Sequence, residues 1–234
     1  MAQTRKQKVL QEVMRQRRRR TIASIVIVAG LVSIIGVGVY ALSQQKGNSG
    51  FPFPCLGFEG TTLHVHPWLR IMINTGAGNS NVSIPVAIGI LNPQLTTQGG
   101  IQVASGGSCF EPLHTHDASG IIHLESGSTS TIYTLGDFFE IWRVTYNTVN
   151  FAGADRPIVF NQTDILGFTS GGGHEVKLLV DGQQSNQYRS LALNNLDYCS
   201  KITTGPPCYP TAPAGDPQGV DPSDTGHTIL IQYT

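Results

Sequence analysis

The chain has 234 residues, and its fifteen Lys and Arg balance its fifteen Asp and Glu, so the formal net charge is zero. This balance hides a division, because eight of the basic residues but only one acidic residue precede Thr21. The remaining chain has seven basic and fourteen acidic residues, a net charge of −7. Such an acidic segment argues against nucleic acid as a partner and favours the attraction of cations.

The first predicted element is a single transmembrane helix over residues 21–42, an uncharged and mostly aliphatic run. A helix of this length extends about 33 Å, enough to cross a hydrocarbon core of about 30 Å and contact membrane lipid. The basic residues precede the run, so the positive-inside rule predicts a cytoplasmic arm over residues 1–20 and an extracytoplasmic C-terminal domain. A cleaved signal peptide is the alternative, because Ala41 and Ser43 are small residues where a peptidase could cut.

A polar linker over residues 43–54 is predicted to precede a histidine-rich extracytoplasmic domain over residues 55–234. This segment is long enough for one domain with a hydrophobic core. It is rich in Gly, Thr, Ile and Val and has no long amphipathic helix pattern, which favours strands joined by turns. The predicted fold is mainly β, sandwich-like or barrel-like, with one short helix.

Two runs at the start of the domain predict a β-hairpin with a long loop. Residues 61–74 have alternating character, a polar glycine-rich turn follows, and residues 82–91 form the second run. Pro67 in the first run indicates an edge strand or a bulge close to two histidines. A second strand pair is predicted over residues 120–125 and 129–133.

One short amphipathic helix is predicted directly after these strands. Thr134 is followed three residues later by Asp137, a capping pattern, and apolar residues recur behind them at helical spacing. Residues 174–197 then read as a strand, an Asp-Gly turn and an extended return. A final strand over residues 227–234 completes the domain, after proline-rich irregular chain over residues 203–224.

Five of the seven histidines lie in two short stretches, "LHVHP" and "LHTHDASGIIHLE". Alternate residues of a strand share one face, so each His-x-His pair can converge on one ion, with metal–nitrogen bonds of about 2.0 Å. A further His-x-Glu pair follows "DASG", a segment that can turn the chain back towards the first pair. The sequence therefore predicts a metal site. Its predicted ligands are His64, His66, His114, His116, His123 and Glu125.

The identity of the metal stays open at this stage. Copper is favoured because the site is rich in histidine, lacks free thiolate and is predicted to lie outside the cytoplasm; zinc is second, and two histidines with Glu125 would suit iron. Glu125 follows His116 by nine residues, a longer spacing than the cupin motif has between its His-x-His pair and its glutamate, so this motif is not matched. Asp117 is predicted either to orient a ligand histidine from behind or to bond backbone amides in a turn, and Glu111 has the same two alternatives.

Four cysteines follow the predicted span and permit three disulfide pairings. Cys199 and Cys208 flank a Gly-Pro loop that a disulfide could close, which favours that pair and therefore also Cys55 with Cys109. Ligation of a metal by these cysteines is the alternative, although no CxxC spacing is present.

The stretch "CFEPLHTHDASGIIHLES", followed by "TLGDFFEIW", resembles a group of largely uncharacterised, membrane-anchored extracytoplasmic proteins of archaea and bacteria. The upstream "HVHPWLRI" and "IPVAIGI", the later "VDGQ" and the closing "ILIQY" are similar to the same group. The resemblance covers most of residues 55–234 and implies one N-terminal membrane anchor, but no particular activity. An insertion that contains Cys199 and Cys208 departs from the closing segment of the group.

Three functions are compatible with these features. The first is a membrane-anchored protein that binds a transition metal, most simply copper, for storage, delivery or sensing, or as an accessory subunit of a membrane complex. The second is a metal-dependent enzyme with a three-histidine open site, in which Glu125 or Asp117 acts as general base. The third is a purely structural subunit of a membrane assembly, whose histidines only form hydrogen bonds.

Overall fold

The computed structural model describes residues 50–60, 62–76, 78–198 and 227–234, together with Met14. The chain divides into two units, Met1–Lys46 and Gly47–Thr234. The predicted transmembrane helix, the basic arm, most of the linker, Cys199 and Cys208 lie outside the described residues. Among the described residues, no helix is both long and apolar enough to cross a membrane.

Within residues 50–234 the described chain is mainly β with one α-helix, as predicted. The helix, α1, spans Leu135–Tyr146, and a short 3-10 helix spans Tyr188–Ser190. The strands β1 to β16 are, in chain order, Leu63–Val65, Trp68–Asn74, Asn79–Asn81, Ile90–Leu91, Gln94–Gln98, Ile101–Gly106, Cys109–Phe110, Leu113–His114, His123–Ser126, Thr148–Phe151, Ala154–Pro157, Asp164–Ile165, Phe168–Thr169, Val176–Val180, Gln183–Ser185 and Thr228–Tyr233. A sandwich-like or barrel-like arrangement of these strands stays a prediction.

The largest sheet has five strands in the order β15-β14-β16-β2-β3. β16 lies in its middle, antiparallel to β14 and parallel to β2, with Ile231 opposite Ile71. Every second residue of β16 is buried, whereas β2 is buried almost throughout. The pattern of β16 fits a strand with one covered face, and that of β2 fits a strand covered on both faces. The predicted final strand is thus confirmed and occupies the centre of the sheet.

A smaller sheet of three strands, in the order β1-β9-β8, carries most of the predicted metal ligands. Its middle strand, β9, was predicted to pair with residues 129–133, and this pairing is wrong. Those residues form bends and irregular chain instead. The hydroxyl of Ser126 accepts a hydrogen bond from the amide of Ser128, and the hydroxyl of Ser128 accepts one from the amide of Ser130. Serine side chains that bond nearby amides in this way compete with a strand ladder.

The first predicted hairpin is only partly correct. β2 turns back into β3, but β3 is the polar stretch Asn79–Asn81, and of residues 82–91 only the last two form a strand. Ala87 and Gly89 have φ angles of 62° and 72°, which interrupt any regular strand here. By contrast, the predicted strand, Asp-Gly turn and return strand are confirmed as β14 and β15.

Helix α1 begins where the sequence predicted. The Thr134 side chain accepts the Asp137 amide, and the Asp137 carboxylate accepts the Thr134 amide, a complete capping box. The apolar face of the helix is fully buried, with the side chains of Phe138, Phe139 and Trp142 at most 1% exposed. Burial of each side chain of this size contributes about 1.5–3 kcal/mol, so this face anchors the helix in the core.

The main hydrophobic core joins both sheets to the helix. It contains Ile71 and Ile231 from the large sheet, Leu124 from β9, Leu113 from β8 and the buried face of α1. The small sheet that carries the histidines is therefore fixed by apolar packing on its opposite side. The predicted disulfide between Cys55 and Cys109 is formed and ties the start of the domain to β7.

Candidate metal centre

Strand register places four of the predicted ligands on one face of the three-stranded sheet. His123 and Glu125 lie two residues apart on β9, so their side chains leave the same face. His64 on β1 is directly opposite Glu125, and His114 on β8 is directly opposite His123. Directly opposite residues of paired strands share a face. The sheet therefore brings together side chains from three separate stretches of sequence.

The remaining two histidines, His66 and His116, follow the strands that carry their partners. The ring of His66 lies 4.5 Å from that of His64 and 4.7 Å from that of His123, measured between ring centroids. The ring of His116 lies 4.9 Å from that of His114 and 4.5 Å from that of His123. All five predicted histidine ligands thus form one cluster around His123.

Thr115, between His114 and His116, is completely buried and fixes the orientation of this pair. Its hydroxyl donates to the carbonyl of Pro85 at 2.8 Å and accepts the amide of Ile88 at 3.0 Å. The Thr115 amide also donates to the carbonyl of Ile88. The "IPVAIGI" segment, although not a strand, is thus the support against which the second His-x-His pair is held.

Backbone carbonyls determine which ring nitrogens of His114 and His116 are free. Nδ1 of His114 lies 2.8 Å from the carbonyl oxygen of Glu111, and Nδ1 of His116 lies 2.7 Å from that of Ala104. A carbonyl only accepts, so both Nδ1 atoms carry the proton and both Nε2 atoms present lone pairs in the neutral rings. This use of Nδ1 to orient a ring is typical of histidine metal ligands.

The two Nε2 atoms of His114 and His116 are only 3.1 Å apart. Two lone pairs at this separation repel each other unless a positive charge, a proton or a metal ion, lies between them. With metal–nitrogen bonds of about 2.0–2.1 Å, this separation corresponds to an angle of roughly 95–100° at a metal. The pair therefore has the spacing of two ligands on one ion.

Glu125 lies between the other ligands. Its Oε1 is 3.0 Å from Nε2 of His64 and 3.3 Å from Nδ1 of His123. The Glu125 side chain is only 6% exposed, whereas that of His64 is 49% exposed. The cluster thus extends from a fully buried histidine, His114, to a solvent-accessible one, His64.

Burial keeps the two innermost histidines uncharged. Removal from water, together with the neighbouring His123 and His116, lowers the pKa of His114 to about 3. Burial, followed by the proximity of His116, holds the pKa of His123 well below its usual range. Both rings are therefore neutral at pH 7, which is the form of imidazole that binds metal ions.

Two carboxylates that sequence patterns did not indicate also border the cluster. Oε1 of Glu59 lies 3.4 Å from Nε2 of His116, and burial, reinforced by the nearby Glu125, raises the pKa of Glu59. Oδ1 of Asp197 lies 3.7 Å from Nδ1 of His66 and accepts the backbone amide of His66 at 3.0 Å. Asp197 is 131 residues from His66 in sequence, so no local pattern could have found it.

Asp117 and Glu111 are the two carboxylates with alternative predicted roles. Among the described residues, neither carboxyl group forms a hydrogen bond or an ion pair with a histidine ring. Oδ1 of Asp117 accepts a hydrogen bond from the amide of Ser119 at 2.9 Å, which is the predicted turn role, and its orientation of a ligand histidine stays a prediction. Glu111 is 1% exposed, one oxygen accepts the Phe53 amide, and burial raises its pKa to about 8. The other two histidines lie outside the cluster: His174 stacks on Tyr233, and His227 pairs with Asp181.

The donor atoms of these side chains form two overlapping sets within the described residues. In each set, four residues place one donor atom each within 4.8 Å of the others. The inner set is His114, His116, His123 and Glu125, and the outer set is His64, His66, His123 and Glu125. Three imidazoles and a carboxylate are ligands that transition metals accept. Either set can therefore hold a transition-metal ion, while the identity of the metal is left open.

A pocket of about 280 Å³ adjoins the cluster. His114, Glu125 and Glu59 line one side of it, and Glu111 and Tyr133 are among its other walls. Oε1 of Glu111 is buried and has no hydrogen-bond partner among the described residues. The pocket thus connects the metal ligands to a partly apolar space.

Comparisons with protein-family models, with curated proteins and with solved structures found no match. The resemblance to membrane-anchored extracytoplasmic proteins therefore stays a prediction, and the functional argument depends on the geometry of the cluster.

Proposed function

We propose that this protein binds a transition metal at the inner set of His114, His116, His123 and Glu125. The observation that carries the proposal is the 3.1 Å contact between Nε2 of His114 and Nε2 of His116, whose Nδ1 atoms are both directed at backbone carbonyls. The backbone carbonyls hold the rings of His114 and His116 in position, so a metal can bind with little reorganisation of these side chains.

Copper is the proposed metal and zinc is the second choice. The described cysteines, Cys55 and Cys109, are joined in a disulfide, so the described donors are imidazoles and carboxylates without thiolate. Imidazole-rich sites suit copper and zinc, and copper stands above zinc in the general affinity order of divalent metals. Which of the two metals the protein binds in the cell would also depend on the supply of each metal in the compartment where the domain folds.

The proposed role is metal storage, delivery or sensing, or support of a membrane complex, at the outer face of a membrane. Residues 21–42 would form the single anchor and contact lipid, with the N-terminus in the cytoplasm. The disulfide between Cys55 and Cys109 supports an oxidising compartment for the domain, and the net charge of −7 after residue 20 supports attraction of cations. Subunits of a membrane complex are the proposed protein partners, and nucleic acid is not.

Metal binding is tested by mass spectrometry of metal content on the full chain, purified without a histidine tag. We expect at least near-stoichiometric copper or zinc in the parent chain and a lower content in His114→Ala/His116→Ala. The matched control is His174→Ala/His227→Ala, which removes two exposed histidines outside the cluster and should leave the metal content unchanged. Absence of metal from the parent chain, even after reconstitution, would instead favour the purely structural role.

The proposed location is tested separately by fractionation of cells that express the full chain. We expect the chain to remain in the membrane fraction after alkaline carbonate extraction. A protease added outside the cytoplasmic membrane should remove the domain but leave a short N-terminal fragment. Recovery of the intact chain in the soluble fraction would contradict the anchor.

A metal-dependent enzyme is the second candidate, because the pocket of about 280 Å³ places free space directly beside His114 and Glu125. A substrate in such a pocket could reach an open coordination position of the ion. In this case Glu125 would act as general base, and the metal-loaded chain should show redox cycling or hydrolysis of a test ester that the metal-free chain lacks. A carrier would show neither activity.

A further inference from the structure

The six ligand residues are too widely spread for one ion. Two donors on the same ion lie at most two bond lengths apart, about 4.2 Å for bonds of 2.1 Å. Each four-residue set keeps its donor atoms within 4.8 Å, so side-chain shifts of a few tenths of an ångström bring them within this limit. The six residues together do not form one set of this kind. An ion in the inner set therefore leaves His64 and His66 available to a second ion.

We propose that the cluster binds two transition-metal ions side by side, one in the inner set and one in the outer set, with His123 and Glu125 shared between them. This proposal rests on the proposed function, since it assigns a second ion to the same cluster.

The outer set has the spacing that a second ion needs. The 3.0 Å separation of Nε2 of His64 from Oε1 of Glu125 corresponds to an angle of roughly 90–100° at a metal, for bonds of about 2.0–2.1 Å. Nδ1 of His66 lies 3.7 Å from Oδ1 of Asp197, and we assign the other ring nitrogen, Nε2, to the ion. A carboxylate behind a ligand histidine is a common supporting arrangement.

His123 is suited to be shared because its ring lies between the two His-x-His pairs. Its centroid is 4.7 Å from that of His66 and 4.5 Å from that of His116. Its Nδ1 faces Oε1 of Glu125, the oxygen that also contacts His64, so Nδ1 is directed towards the outer ion. Nε2, on the other edge of the ring, remains for the inner ion. Binding at both nitrogens releases the ring N–H proton to water and leaves a bridging imidazolate.

Acidic side chains surround the cluster. Oxygens of Glu125, Glu59 and Asp197 each lie within 4.0 Å of a histidine nitrogen. Carboxyl groups beside both His-x-His pairs favour the binding of cations at both positions.

The experiment is a titration of the metal-free full chain with Cu²⁺, followed by gel filtration, metal analysis and electron paramagnetic resonance. We expect two copper ions per parent chain, with a spin count below two because the shared ligands couple the ions magnetically. His64→Ala/His66→Ala should keep one ion with a full, uncoupled spin. His174→Ala/His227→Ala should match the parent chain.

The outcomes separate this proposal from the proposed function. One ion per parent chain, lost in His114→Ala/His116→Ala but not in His64→Ala/His66→Ala, would overturn the second site while leaving the first. Two ions with two uncoupled spins would overturn the sharing of His123, and no bound copper would overturn both proposals. Because His114 is fully buried, His116→Ala alone serves as a second variant of the inner set if the double variant fails to fold.

Discussion

Gly120 ends the turn between His116 and His123, and the backbone there accommodates no other residue. Its φ angle is +87°, and a Cβ atom would lie 2.3 Å from the carbonyl oxygen of Leu69. The Gly120 carbonyl also accepts the Leu69 amide at 2.9 Å, so this contact joins the turn to β2. A close approach of two backbones at a left-handed residue explains why glycine is needed.

We therefore expect Gly120→Ala to lower the free energy of unfolding by at least about 2 kcal/mol, since both the φ angle and the contact must change. Urea unfolding followed by tryptophan fluorescence measures this, because both tryptophans, Trp68 and Trp142, are buried in the domain. The control is Gly127→Ala, where a Cβ atom would meet nothing within 4 Å. Equal unfolding midpoints for the two variants would contradict this account.

Glu111 and His114 make the stability of the metal-free protein depend on pH in opposite directions. Burial lowers the pKa of His114 from 6.5 to about 3, so its contribution is lost as the pH falls from 6.5 towards 3. Burial raises the pKa of Glu111 from 4.5 to about 8, so its contribution is lost as the pH rises from 4.5 towards 8. Of these two groups, therefore, only Glu111 changes the free energy of unfolding between pH 6.5 and 8.

For the metal-free chain we expect the free energy of unfolding to fall by about 2 kcal/mol between pH 6.5 and 8, and Glu111→Gln to remove this fall. The amide of Gln has no proton to lose, and its oxygen can still accept the Phe53 amide. Urea unfolding at both pH values, in the presence of a chelator, measures the difference. Glu175→Gln, at an exposed carboxylate, is the control and should behave as the parent chain.

At the scale of residues, the sequence could predict which side chains cluster but not all of their surroundings. The i, i+2 spacing of His114 with His116, and of His123 with Glu125, depends only on local geometry, so the pairs were recognisable. Asp197 approaches His66 only because the chain returns from a distant segment. Its identification required the tertiary structure.

Among the elements, helix α1 depends most clearly on a local signal. The hydroxyl of Thr134 accepts the Asp137 amide at 3.2 Å, and a carboxylate oxygen of Asp137 accepts the Thr134 amide at 2.8 Å. We expect Thr134→Ala to lower the free energy of unfolding by about 1 kcal/mol, since one helix amide loses its acceptor. Urea unfolding compares this variant with Thr129→Ala, an exposed threonine outside any helix or strand, which should change stability by less than about 0.5 kcal/mol.

The elements divide according to whether a local or a distant partner stabilises them. The capping box of α1 and the Asp-Gly turn between β14 and β15 were readable because their signals lie within a few residues. The β5–β6 hairpin was not predicted, although its Gly-Gly turn at Gly99 and Gly100 is a local signal of the same kind. Residues 82–91 were predicted as a strand because they are apolar, but the hydrogen bonds of residues 85–88 go to Thr115. An apolar run alone cannot distinguish these cases.

At the scale of the whole molecule, the site depends on segments that the chain brings together from a distance. The clustered histidines lie on β1, β8 and β9 or shortly after β1 and β8. The start of the domain supplies Glu59, and Asp197 approaches His66 from a distant segment. The core beneath the small sheet includes residues of α1 and of the large sheet. Bringing distant segments together costs conformational entropy, so a covalent link that shortens the chain loop between them stabilises the site.

The disulfide between Cys55 and Cys109 is such a link, and it closes a sequence separation of 54 residues. A loop of this length corresponds to about 4 kcal/mol in the chain-entropy model, so we expect Cys55→Ser/Cys109→Ser to lower the free energy of unfolding by roughly 2–4 kcal/mol. Cys199→Ser/Cys208→Ser is the background in which to measure it, because any effect of a reductant there arises from Cys55 and Cys109 alone. In that background dithiothreitol should lower the urea midpoint of the chain that retains Cys55 and Cys109 and leave the midpoint of the four-serine variant unchanged. An equal response of both chains to dithiothreitol would show that the link does not stabilise the domain.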